Sequence, residues 1–122
     1  MDMGMWKIET TAGWKNSTLE FGAQYPNELA ALLRNLMHYL AQLKAAKSHK
    51  RIEALYLEFR ESGIVSINQS GMEDGLANSR LYVFPDESTR TLYLLCIGTE
   101  ANKDSDLEYC KEFIFYLVNE RT

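Results

Sequence analysis

Little in this chain invites cofactor or covalent chemistry. It has two cysteines, two histidines and two prolines in 122 residues. Cys96 and Cys110 stand in no metal-ligand spacing, and neither His38 nor His49 lies beside a cysteine or in a His-x-x-x-His pattern. No metal and no cofactor is therefore expected. The two thiols read as a free, buried pair in a reducing compartment. Both histidines fall in or just after one helical stretch, which disfavours a Ser-His-Asp or Cys-His catalytic set. No apolar run approaches the roughly 20 residues that cross a bilayer, so no membrane partner is expected. The opening Met1-Asp2-Met3-Gly4-Met5 lacks the basic and apolar regions of a signal peptide. A soluble, cytoplasmic protein is the expectation. Basic charge is also short: 13 Lys and Arg face 17 Asp and Glu, for a net charge of −4. That tells against a dedicated nucleic-acid binder, which carries a basic field.

What the chain does have is apolar residues, 46% of the total, against 25% charged. A single domain over residues 1–122 follows from the length, and a chain of this size buries roughly two-thirds of its unfolded surface. There is no internal repeat and no low-complexity segment.

The strongest signal is the stretch from Arg80 to Gly98. Two runs, Arg80–Phe84 and Arg90–Gly98, the latter apolar from Leu92 to Ile97, flank the polar loop Pro85-Asp86-Glu87-Ser88-Thr89. This pattern predicts a β-hairpin, with the first strand ending at Phe84 because proline donates no ladder hydrogen bond. The second run is apolar almost without a break, which predicts a strand covered on both faces, inside its sheet. Upstream, Trp6, Ile8 and Thr10 alternate with Lys7, Glu9 and Thr11, the period of a half-buried strand. Residues 14–24 give a mixed signal that admits a short helix over Ser17–Phe21, stopped by Gly22.

Pro26 suits the first turn of a helix. Leu29, Leu32, Leu33, Leu36, Leu40 and Leu43 then recur at helical spacing, predicting a helix from Pro26 to about Lys47 whose apolar stripe packs on a sheet. Residues 54–60 fit either a helix or a strand. The strand is preferred, because Ser62-Gly63 then turns into the β-branched run Ile64–Asn68. Gln69 to Asn78 reads as a loop. After Gly98, a polar connector leads to Ser105-x-x-Glu108, a capping box, and Leu107, Cys110, Ile114 and Leu117 repeat at helical spacing to about Asn119. Phe113, Phe115 and Tyr116 widen the apolar surface of this helix, so that part of it is expected to meet a second chain.

From Leu29 to Ile52 the chain has no acid, while Arg34, Lys44, Lys47, Lys50 and Arg51 fall there. Cations at a helix C-terminus account for part of this. As a basic patch, Lys44, Lys47, Lys50 and Arg51 are the candidate nucleic-acid contacts.

The run Ser79–Phe84, the acidic turn, Thr91–Gly98 and the polar connector into a helix resemble the C-terminal half of the RelE/ParE toxin superfamily, including its phage-borne HigB-like branch. Met5-Trp6-Lys7-Ile8-Glu9 is similar to the first strand there. The resemblance implies an α+β fold: a mostly antiparallel sheet of four or five strands, packed by N-terminal helices on one face, with a C-terminal helix. It also implies an antitoxin as partner, or a second copy of the chain through the C-terminal helix, and the ribosome with its mRNA as target. The implied chemistry is transfer of an RNA phosphodiester to the neighbouring 2′-hydroxyl. That requires a base, cations for the growing charge and a donor to the leaving oxygen. Arg80 matches the family arginine at the scissile phosphate, Lys103 stands in the connector, and Tyr109 corresponds loosely to a tyrosine of some members. These three are the candidate catalytic residues. The chain departs from the family where lysines are expected: it has Ser66, Asn68 and Gln69 on the preceding strand, and Thr99-Glu100 after Gly98. The loss of one charge-stabilising donor typically raises a barrier by about 3–4 kcal/mol, so this set predicts weak cleavage. The other readings are a non-catalytic interaction module and a small nucleic-acid-binding accessory protein using the basic segment.

Overall fold

In the computed structural model, residues 6–45, 56–69 and 79–120 are described. The fold is α+β, and its order is β1 (Lys7–Thr10), α1 (Ala12–Gln24), α2 (Pro26–Ala45), β2 (Leu57–Phe59), β3 (Val65–Asn68), β4 (Ser79–Asp86), β5 (Thr91–Thr99) and α3 (Lys103–Asn119). The five strands form one sheet in the order β1-β5-β4-β3-β2. β2 to β5 make an antiparallel meander, and β1 joins β5 in parallel. The expected hairpin is β4–β5, and β5 lies inside the sheet between β1 and β4. Segment 54–60 is a strand where it is described, over Leu57–Phe59.

α1 and α2 lie on one face of the sheet. Leu32, Leu36, Tyr39, Leu40 and Leu43 of α2 pack with Val65, Ile67, Leu81, Val83, Leu92, Leu94 and Ile97. Each fully buried leucine contributes about 1.5–3 kcal/mol relative to an exposed one, so the leucine stripe is what seats α2. α3 covers the opposite face. There Cys110 and Ile114 pack with Ile64, Tyr82, Leu95 and Cys96. Helices on one face only, as the resemblance implied, is therefore corrected: the sheet is sandwiched. The apolar run of β5 alternates onto both faces, and a bulge adds to the α3 side. The β4–β5 register shifts between Tyr82 and Val83, which face Cys96 and Leu94. Leu95 is the extra residue, and it joins Cys96 on the α3 side. Two consecutive apolar side chains on one face need a cover of their own.

Three local expectations also change. β4 runs on through Pro85, paired with Leu92, to Asp86. Its ladder with β3 ends at Val83, so near Pro85 one side of the strand is an edge, where a missing N–H costs little. β1 is exposed along its length because it is a sheet edge. The buried groups there are its flanks, Trp6 and Thr11. α3 starts at Lys103, before the anticipated capping box, because a single 3-10 turn, Glu100–Asn102, runs straight into it. Ser105 Oγ instead donates to Asn102 O at 3.1 Å.

α1 is longer than the sequence suggested. Thr11 caps it, its Oγ1 accepting from Trp14 N at 3.1 Å and donating to Leu95 O at 2.9 Å. A buried cap threonine bonded to the sheet fixes both the helix start and its angle to β5. Ser17 Oγ, one turn on, accepts from Ile97 N at 3.0 Å.

Candidate functional site

The α3 face of the sheet is apolar at one end and polar at the other. Strand alternation sets this. Arg80 and Tyr82 of β4 share that face; across the ladders Arg80 meets Asn68 and Gly98, and Tyr82 meets Ser66 and Cys96. The connector then returns Glu100, Lys103 and Asp106 over the same end. Arg80 Nη1 is ion-paired with Glu100 Oε2, and Lys103 Nζ lies 3.6 Å from Glu100 Oε1. One carboxylate thus holds two cations. The Arg80 side chain is only 12% exposed against 49% for Glu100, so the guanidinium is bedded in the sheet and the carboxylate closes over it.

A second chain of contacts runs beside the first. Arg60 Nη2 pairs with Glu58 Oε2 at 3.1 Å, Asn68 Nδ2 donates to Glu58 Oε1 at 2.6 Å, and Ser66 Oγ donates to Asn68 Oδ1 at 2.9 Å. Arg60, Arg80 and Lys103 therefore face Glu58, Glu100 and Asp106, three charges of each sign. Asp106 sits over Gly98, where a β-carbon on the strand would collide with its Oδ2. That oxygen is buried with no hydrogen-bond partner, and burial pushes the carboxyl up to about 6. Burial, and after it the nearby Asp106 charge, likewise push the Tyr82 phenol upward, with Arg80 and Arg60 opposing.

The residues singled out in the sequence fall in different places. Arg80 and Lys103 come together at Glu100. Tyr109 does not join them: its hydroxyl accepts from Gly13 N at 3.1 Å and donates to Thr11 Oγ1 at 3.0 Å. That places it at the start of α1, tying α3 to the Thr11 cap. Lys44 is exposed near the end of α2. Lys47, Lys50 and Arg51 lie outside the described residues. Ser66 and Asn68, standing where lysines were expected, are tied to each other and to Glu58. Sequence reasoning missed Asp106, Tyr82 and Arg60. The alternation of Arg80 with Tyr82 was a signal for the second; Asp106 and Arg60 needed the register.

Elsewhere, Cys96 and Cys110 bring their sulfurs to 3.9 Å, both free and buried. The hydrogen bond between them, and then burial, push the Cys96 thiol well up, which makes it a poor nucleophile. Among the described residues, no helix is long and apolar enough to cross a membrane. Phe115 and Tyr116 of α3 are 62% and 64% exposed and meet edge-on, ring centroids 5.5 Å apart.

The arrangement gathers two cations, Arg80 and Lys103, on the single carboxylate of Glu100, with the Asp106 carboxyl titrating close by. Set beside known proteins, the chain matches no family model, no curated protein and no solved structure.

Proposed function

We propose that this chain is a RelE/ParE-like toxin component with a latched cation site: it engages RNA phosphate through Arg80 and Lys103 and cleaves weakly. The observation that carries the reading is the meeting of those two residues, drawn from the hairpin and the connector, on the single carboxylate of Glu100. The order of elements supports it too: a strand, two helices, a four-strand meander and a helix. For a phosphate to reach Arg80, the Glu100 carboxylate must be displaced. In a transition state that needs positive charge, two cations already neutralised by one neighbour contribute less than free ones. Tyr109, engaged at the α1 cap, supplies no proton at this site. Binding with slow cleavage follows.

Induction in a bacterial host tests the reading. Growth arrest is expected, and its loss in Arg80→Ala. Arrest undiminished in Arg80→Ala overturns the site, and no arrest from the wild-type chain overturns the toxin reading.

A second reading rests on a different observation, the aromatic pair Phe115–Tyr116 exposed on a folded helix. In it the chain is an interaction module that pairs with a second copy through α3. The border of this stripe carries Glu112 and Lys111, the latter ion-paired with Glu61 at 2.6 Å, and in a two-fold pairing the same stripe would face itself. An antitoxin segment on the same stripe is the competing outcome.

A further inference from the structure

On the other side of the β5 end lies a cavity of about 430 Å³, within the range that takes a small molecule. One wall is aromatic: Phe21, on the last turn of α1, and Tyr25, its C-cap, hold their ring centroids 5.1 Å apart at 39°. The rest of the lining includes Gln24, Glu20 and Asn102, whose Oδ1 accepts from Thr99 Oγ1 at 3.2 Å, and among the described residues it holds no lysine or arginine. A wall without cations does not receive an anionic group. An aromatic wall beside two amides and one carboxylate fits a neutral, planar ring with hydrogen-bonding edges, its N–H groups toward Glu20.

The position of the cavity sharpens this. Gly98 and Thr99 line it, and Gly98 is the ladder partner of Arg80. The turn Glu100–Asn102 separates the cavity from the cation cluster: Asn102 faces the cavity, while Glu100 holds Arg80 and Lys103. Gly98 and Arg80 lie on neighbouring strands about 4.8 Å apart, with the cavity on the α1 face of the sheet end, the Arg80 side chain on the α3 face, and the Thr99–Asn102 corner between them. We propose that this cavity is a nucleobase subsite, seating the base of an RNA nucleotide whose phosphate reaches round that corner to Arg80 and Lys103. The direction of the nucleotide rests on the reading of Arg80 and Lys103 given above; the base recognition rests on the cavity alone.

Calorimetric titration with the four ribonucleoside 3′-monophosphates, the four unphosphorylated nucleosides and a short single-stranded RNA tests it. Glu20 and Gln24 are exposed, so Glu20→Gln and Gln24→Ala leave the core untouched, and a thermal melt checks that they fold. One base is expected to bind about tenfold more tightly than the poorest, the worth of one or two hydrogen bonds. Either variant is expected to flatten that preference, and Arg80→Ala to weaken all four nucleotides alike. The RNA is expected to compete with the preferred nucleotide. Equal affinity for all four bases, or a preference that survives both variants, overturns the base subsite. In that case weakening by Arg80→Ala leaves the cation site standing alone. Nucleosides that show the preference without any gain from phosphate uphold the base subsite and overturn the cation site. Free nucleotides that bind while RNA does not compete overturn the RNA assignment. No binding by any probe overturns both.

Discussion

Replacing Tyr109 by phenylalanine removes one oxygen, and the structure fixes what that oxygen does. It accepts from Gly13 N at 3.1 Å and donates to Thr11 Oγ1 at 3.0 Å. Thr11 in turn caps α1 and donates to Leu95 O in the sheet. The hydroxyl is thus the joint between α3, the start of α1 and β5. Two hydrogen bonds at about 1 kcal/mol each give about 2 kcal/mol, and more if Gly13 N–H is left dry. For a domain of this length that is a melting temperature lower by roughly 8 °C. The assay is thermal and urea unfolding followed by far-UV circular dichroism, with the midpoint shifting at unchanged m. Thr11→Val breaks the same joint from the other side and also loses the cap. The double variant should therefore cost less than the sum of the singles, with a coupling of about 1 kcal/mol. A Tyr109→Phe melt within about 2 °C of wild type, where this ledger asks for several degrees, refutes the structural assignment. It would return the tyrosine to the list of catalytic candidates.

Two more predictions concern α3. Asp106 has a folded-state carboxyl near 6 against the ordinary 3.8. The native state therefore holds a proton that the unfolded state releases, and stability falls as pH rises from about 4 to 6. At full value the displacement is worth about 3 kcal/mol, and because the group is partly exposed, solvent screening reduces it to about 1 kcal/mol. Asp106→Asn is expected to be more stable than wild type by that amount at pH 7.5, with the gap closing by pH 4; a gap independent of pH contradicts it. Phe115→Ser combined with Tyr116→Ser is expected to convert a dimer into a monomer in light scattering at unchanged melting temperature. A wild-type chain that is monomeric at high concentration contradicts pairing with a second copy.

The elements that depend on near neighbours were legible in the sequence. The leucines of α2 repeat at helical spacing because one face of that helix meets the sheet, and no other part of the chain is needed to see it. The β4–β5 hairpin and the interior position of β5 follow from two runs and a turn. α1 was legible only in part, because its start depends on Thr11 bonding to Leu95 and Tyr109, residues 84 and 98 positions away. The unbroken apolar run Leu92–Ile97 announced burial on both faces, but not that α3 would be the second cover, nor the one-residue bulge that adds Leu95 beside Cys96. Phe84 was read as the strand end, with Pro85 outside it, because the sequence does not show where the β3 ladder stops. At the candidate site, Arg80 and Lys103 were singled out through the family resemblance alone, and their meeting on Glu100 is a product of the fold. Asp106 was legible only as a helix-start residue, since its burial over Gly98 is a product of register.

The claim that bears most weight is that Glu100 restrains Arg80 from a phosphate. Titration of a short RNA made uncleavable by 2′-O-methylation, at several salt concentrations, measures this directly for wild type, Glu100→Gln and Arg80→Ala. Glu100→Gln is expected to bind about tenfold more tightly, the effect of about 1.4 kcal/mol. Arg80→Ala is expected to bind more weakly, with the salt slope smaller by about 0.7 for one lost phosphate contact. Binding by Glu100→Gln that equals or falls below wild type would contradict that claim.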